Sequence, residues 1–351
     1  SSFYLFRVRL GARGAIDPDI NYETVAELGV NALTTQSTQS YNTELAEGSI
    51  TLNHIPGARL RFGIFKTPGL EEGLRTAIDY VNFTNLTSQF INYQPSRATS
   101  NIPDANGGFS ATTSSGVRAF RDTGIQVFDA FRTGAWEHSY AAMIGNGSTL
   151  NALDENSGKA FYGRIQTSYL FDDKADGFTK NRNDATFFLW HHSGTQSFNG
   201  GDFRANREGV GLAVVKYPYN FTSEYVKGTG MILLTSLFPD GVTTVYPGRE
   251  NESDGWYVDG GYFLSKSVKL GARYDVLNQL KNVSSLHREY KTLTLGALYY
   301  FNKTSRIAFN YEFRDLRFPG SSPSDGAQFV NQNAVKDSIG NRLAVQATVV
   351  F

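Results

Sequence analysis

Apolar and polar residues alternate with a period of two along most of this 351-residue chain, and that pattern restricts its fold more than any single motif. The closing stretch NRLAVQATVVF, 341–351, shows it plainly. Leu343, Val345, Ala347, Val349 and Phe351 fall on one side of an extended strand, with Arg342, Ala344, Gln346, Thr348 and Val350 on the other. A face this apolar meets either a core or lipid. No stretch approaches the roughly 18 to 20 continuous apolar residues of a membrane-spanning helix, since runs such as MILL (231–234) break within a few positions. A membrane form of this chain is therefore a barrel, because only helices and closed barrels satisfy every backbone group in hydrocarbon.

The alternation recurs throughout. Tyr4, Phe6, Val8 and Leu10 oppose Arg7, Arg9 and Arg13; Tyr22, Ala26, Leu28 and Val30 oppose Asn21, Glu23 and Glu27; Leu60, Phe62 and Ile64 oppose Arg59 and Arg61. Later, Ile307, Phe309, Tyr311 and Phe313 oppose Arg306, Asn310, Glu312 and Arg314. About fifteen strand candidates tile the sequence. A soluble sandwich seldom points that many arginines inward, whereas a wet lumen keeps them hydrated. Abundant aromatics (14%) and 35 glycines favour strands and turns over helices.

Connections alternate in length. Short ones are read at 11–18, 54–57, 132–134, 217–219, 265–266 and 302–303, with a somewhat longer one near 172–178. Long ones are read at 34–44, 67–121, 147–158, 195–205, 237–253, 278–287 and 317–338. This asymmetry is that of an outer-membrane barrel. Bacterial barrels have even strand numbers with both ends on one side, so one further strand is expected upstream of residue 1, for about sixteen strands in one domain, 1–351. Segment 67–121 is too long for a plain connection and can tuck into the barrel as a constriction. Within it, 69–83 suits a short helix and 103–116 reads as flexible.

Several function classes drop out. Thirty-three basic and thirty-three acidic side chains cancel, which argues against a nucleic-acid partner. Without cysteine there is neither a disulfide framework nor a thiolate metal site. His191 and His192 are adjacent and point to opposite strand faces, and the acidic turn 172–176 lacks calcium-loop spacing. Ser139 follows His138 directly, no G-x-S-x-G elbow or glycine-rich phosphate loop occurs, and neither an enzyme nor a cofactor is expected. Trp136, Trp190 and Trp256 read as interfacial girdle residues. The arginine rows have two readings: forks that gather oxyanions along a pore, or braces paired with Glu23, Glu27, Glu312 or Asp275. Lys269 and Arg273 beside Asp275 lean to the structural side.

Four stretches together resemble the phosphate-selective porin O and P family of Gram-negative outer membranes: FRVRLGARGAIDPDINYETVAELG (6–29), IPGARLRFGIFKTPGLEEG (55–73), RDTGIQVFDAFRTGAWEHSYAAMIGNG (121–147) and the terminal strand. The resemblance implies a sixteen-stranded, homotrimeric, passive channel for small inorganic or organic anions, set in a bilayer with lipopolysaccharide, whose third long loop folds inward. By matching motifs it implies pore-lining roles for Arg7, Arg9, Arg59, Arg61, Lys66 and Arg121. In the constriction loop, Glu71, Glu72, Asp79 and Asp104 stand alongside Arg75, Arg97 and Arg118, a mixture that departs from the family's basic constriction. The alternative from another class is a structural barrel that sheathes or anchors a partner, such as an electron-transfer protein in its lumen.

Overall fold

A computed structural model describes residues 5–29, 43–75, 83–94, 96–113, 120–147, 158–172, 183–234, 243–303 and 305–350. Nineteen strands and three short α-helices are found among them: β1 (Arg9–Asp17), β2 (Ile20–Glu27), β3 (Glu44–Leu52), β4 (Arg59–Lys66), α1 (Glu71–Leu74), α2 (Gln89–Tyr93), β5 (Ser96–Ala98), β6 (Phe109–Thr113), β7 (Arg121–Thr133), β8 (Trp136–Gly145), β9 (Ala160–Asp172), β10 (Asn183–Phe198), β11 (Gly201–Lys216), β12 (Tyr219–Thr229), β13 (Ile232–Leu234), β14 (Thr244–Tyr246), β15 (Glu252–Phe263), β16 (Val268–Gln279), β17 (Arg288–Tyr300), β18 (Arg306–Arg317), α3 (Ala327–Ser338) and β19 (Arg342–Thr348). Fifteen of the strands form one antiparallel wall in the order β1-β2-β3-β4-β7-β8-β9-β10-β11-β12-β15-β16-β17-β18-β19. Each strand pairs with its neighbour in that order, the all-next-neighbour topology of an up-and-down barrel. β1 and β19 are the edges of this sheet, and the expected strand upstream of residue 1 is not tested by it.

The wall is polarised by alternation. Outward positions carry Ile125, Ile165, Phe187, Leu189, Leu212, Phe221, Leu293, Leu295, Phe309, Leu343 and Val345, all exposed. Phe351 lies outside the described residues. Trp136 and Trp256 are exposed, as girdle residues are, but Trp190 is only 4% exposed and turns inward. The reason is parity, since Trp190 sits between outward Leu189 and His191. The same parity separates the two histidines: the His192 ring stacks 4.4 Å from Tyr162, whereas His191 faces out beside Glu208, 4.0 Å away. At the end bearing the long connections the outward surface becomes charged, with Lys227 3.9 Å from Glu252 and Lys281 2.6 Å from Asp254.

Three connections differ from expectation. Residues 11–17 continue strand β1, so the first turn is only Pro18–Asp19. The long loop expected at 195–205 is strand: β10 and β11 run on to a two-residue turn at Asn199 (φ 50°) and Gly200 (φ 71°), an Asn-Gly pair whose positive φ suits a tight hairpin. Residues 109–113 within the stretch read as flexible form β6, because FSATT alternates and is β-branched at its end. β6 and β5 join β13 and β14 in a second, four-stranded sheet. It packs Phe109, Met231, Leu233 and Val245 against Phe198 and Phe203 of the β10–β11 hairpin. The connection 317–338 holds α3, whose Val335 packs on Leu277, Tyr290 and Leu316.

Leu295 sits near the middle of β17 and is 47% exposed on the outward face. Leu295→Arg is expected to lower folding stability in lipid vesicles by about 2–4 kcal/mol, as a cation does on the lipid face near the bilayer midplane. Urea titration of vesicle-folded protein reads this out; an unchanged midpoint would mean that the face does not meet hydrocarbon.

Candidate functional site

Segment 67–121 leaves the wall after β4 and re-enters it at β7, yet it touches strands far from both. Arg164 on β9 donates to the Gly69 carbonyl at 2.8 Å and to Glu71 at 2.5 Å. The backbone N–H of Glu71 reaches both oxygens of Glu224 on β12, each at 3.2 Å, and Arg75 donates to Thr222 at 2.5 Å. Arg273 on β16 donates to the Asn85 carbonyl at 2.9 Å and lies 3.5 Å from Glu72. Ser88 donates its N–H to Asp275 at 2.9 Å, Thr84 to Asn310 at 2.7 Å, and Asn92 accepts from Arg207 on β11 at 2.5 Å. Only a wall curved around the segment brings β9, β11, β12, β16 and β18 within its reach. The third long loop is inside the barrel.

These contacts use inward parity. Glu224 also accepts from Trp190 at 2.6 Å and Tyr257 at 2.8 Å, so its carboxylate is fully engaged. Leu70, Tyr93 and Phe120 of the loop pack with Phe188, Trp190 and Val226 of the wall. Opposite the loop the wall is stripped of side chains where contact is closest: a Cβ on Gly228 would lie 2.5 Å from Asn92 Oδ1, and one on Gly255 would lie 2.5 Å from Gln89 Nε2. α1 is one turn long; Gly73 within it lies where a Cβ would strike the Phe120 ring at 2.1 Å.

Two adjacent loop carboxyls respond to burial in opposite ways. Burial pushes Glu71 upward, but Arg164 and Arg75 outweigh it and hold the carboxyl below its ordinary range. For Glu72 burial prevails over Arg273, and the carboxyl is raised. Docking through Glu71 is therefore fully present above the ordinary carboxylate pKa of about 4.3 and is lost as pH falls below it. The Glu72 contribution has the opposite sign: it is present below that value and is lost as pH rises through the raised one.

On the side the loop leaves open, the lumen is bounded by β1–β4 and β7–β9. Two adjoining cavities lie there, one lined by Arg13, Glu23, Ser49, Thr51, Arg59, Arg61 and Phe128, the other by Arg59, Arg61, Lys66, Gln126, Phe128 and Arg164. Of the residues singled out in the sequence, Arg59, Arg61 and Lys66 meet in this space. Arg9 instead pairs with the buried Glu27 at 2.8 Å, and Arg121 forms an ion pair with Glu47. Arg7 is exposed near the start of the described chain. Glu71, Glu72 and Arg75 serve as anchors of the loop; Asp79, Arg118 and the Arg97 side chain lie outside the described residues. Sequence reasoning passed over Arg164, Glu224 and Phe128. Arg164 and Glu224 were accessible in principle as isolated charges at inward parity among otherwise apolar or neutral strands.

No protein-family model matches the sequence, and no curated protein matches it. Solved structures do resemble it. OmpF of Salmonella typhi, in complex with daunomycin, superposes with a TM-score of 0.60 at 13% identity over 97% of this chain and 89% of that one. An anion-selective porin from Comamonas acidovorans gives 0.57 at 11% identity, over 89% and 79%. The outer-membrane channel DcaP of Acinetobacter baumannii gives 0.50 at 11% identity, over 88% and 79%. At such identities the likeness concerns fold alone: the chain has the transmembrane β-barrel fold of the Gram-negative outer-membrane porins.

Removing one partner of a buried ion pair costs about 3–5 kcal/mol, so Arg164→Met is expected to loosen α1 from β9 and raise single-channel conductance. The wild type should show the same rise when pH is lowered below about 4.3, and Glu71→Gln should show it already at neutral pH. Equal conductance for wild type and Arg164→Met would mean that the docked loop does not set the bore.

Proposed function

We infer that this protein is an outer-membrane porin that passes small hydrophilic solutes by passive diffusion with a preference for anions. The observation that carries this reading is the charge lining the open side of the lumen. Arg13, Arg59, Arg61, Lys66 and Arg164 line the two cavities, against the carboxylates of Glu23 and Asp129. Asp129 is 3.1 Å from Arg59, and Arg164 is neutralised by Glu71, so Arg13, Arg61 and Lys66 outnumber Glu23 as charges acting on the space. A cationic wall around a narrow wet path concentrates anions. Nothing in this arrangement pairs a nucleophile with a base, which supports a channel rather than an enzyme.

The reading of a sheath around a partner protein is less well supported, because loop 67–121 already occupies the β9–β18 side of the lumen. Phosphate and related oxyanions, the solutes implied by the resemblance to the O and P family, suit the arginine forks. A homotrimer is supported by the outer surface: β19, β1 and β3 expose only aliphatic large side chains, Leu343, Val345, Leu10, Ile16, Leu45 and Ile50, while aromatic girdle residues crowd β8 through β18. Lipid and lipopolysaccharide would cover the rest.

Reversal potentials across a potassium chloride gradient test the preference. Arg59→Gln with Arg61→Gln should move the potential toward cations, and more strongly at about 0.1 M salt, where the Debye length is about 10 Å, than at 1 M, where it is about 3 Å. An ion preference unchanged at low salt would make these arginines braces of the wall.

A further inference from the structure

Phe128 projects inward from β7 between two guanidinium groups. Arg59 stands 4.6 Å and Arg61 4.9 Å from its ring centroid, and Arg61 is also 5.4 Å from the ring of Phe65. Stacking covers the faces of a guanidinium and leaves its edge donors free. In Arg61 only Nε is used, in a 3.3 Å bond to Thr51; among the described residues its two terminal nitrogens meet no acceptor. Lys66 is held by the Leu74 and Arg75 carbonyls, each at 3.0 Å, which fixes the ammonium and leaves one of its three N–H groups. Arg61 and Lys66 line the same cavity, and the remaining wall of that cavity is largely apolar, from Pro68, Leu74, Ala130 and Ala141.

We propose that this cavity is a subsite for organic carboxylates with an apolar, preferably planar, body. The inference rests on the anion-channel reading and narrows its substrate class. The carboxylate takes the bidentate edge of Arg61 and the free Lys66 proton, while the body lies along Phe128 and the Pro68–Leu74 side. A phosphate dianion gains the same cations but leaves most of its oxygens against an apolar surface that cannot hydrogen-bond them. Benzoate has one charged end to satisfy and a face to bury. The site therefore separates anions by the character of what is attached to the charge.

The test is chloride current through single channels in planar bilayers at about 0.1 M ionic strength, with potassium benzoate or potassium phosphate added. Benzoate is expected to block saturably at a concentration about tenfold below that of phosphate. Phe128→Ala should bring the two blocking concentrations together, and Arg61→Gln should weaken the benzoate block by about tenfold. Each variant is first checked for the mobility shift between unheated and boiled samples, and Phe128→Leu repeats the comparison if the alanine variant does not fold. Benzoate blocking no better than phosphate, in a channel that still prefers chloride to potassium, overturns the subsite and leaves the channel reading intact. Absence of any chloride preference overturns both.

Discussion

A peptide group inside hydrocarbon has no water to bond to, and everything in this structure follows from meeting that demand with strands. Fifteen strands pair in sequence order, so each satisfies its neighbours' backbone, and alternation then sorts side chains between lipid and lumen. Charges that a lipid-facing surface cannot carry are collected on the inside. There they become both the fasteners of the inner loop and the lining of the passage.

The interior is thus divided between two uses of the same chemistry. On the β9–β18 side, arginines and carboxylates are matched one to another: Arg164 with Glu71, Arg273 with Glu72, and Ser88 with Asp275. An apolar patch around Tyr93, Phe188 and Trp190 excludes water from part of that contact, which strengthens each bond within it. On the β1–β4 side the matching is incomplete. Arg9 and Arg121 find carboxylates in Glu27 and Glu47, but Arg61 and Lys66 face the space. Incomplete pairing is what leaves a field for a passing ion.

The barrel wall was legible in the sequence because period-two alternation is a local property, repeated in every strand. The inward loop was legible from its length, and Arg59 and Arg61 from their parity. What escaped were features set by distant contacts or by turn chemistry. The Asn199-Gly200 hairpin reads as an ordinary polar loop unless the preference of that pair for positive φ is given more weight than the surrounding polarity. Trp190 carries no sign in its neighbours that its indole N–H will meet Glu224 across the lumen, 34 residues away. The division of the arginines into braces and free charges depends on which carboxylates fold opposite them, and alternation assigns a face but not a partner.

The one-sided seating of the loop leaves an off-centre throat with two boundaries of different origin. One boundary is strand: Arg59, Arg61 and Phe128 are fixed in the hydrogen-bonded ladder between β4 and β7. The other is the loop around Pro68 and Leu74, whose position depends on ion pairs to the far wall. Width and charge are therefore separable quantities in this molecule. A shift in how firmly the loop is seated widens or narrows the throat while the cationic strand face stays where it is, so flux can change without any change in which ions are favoured.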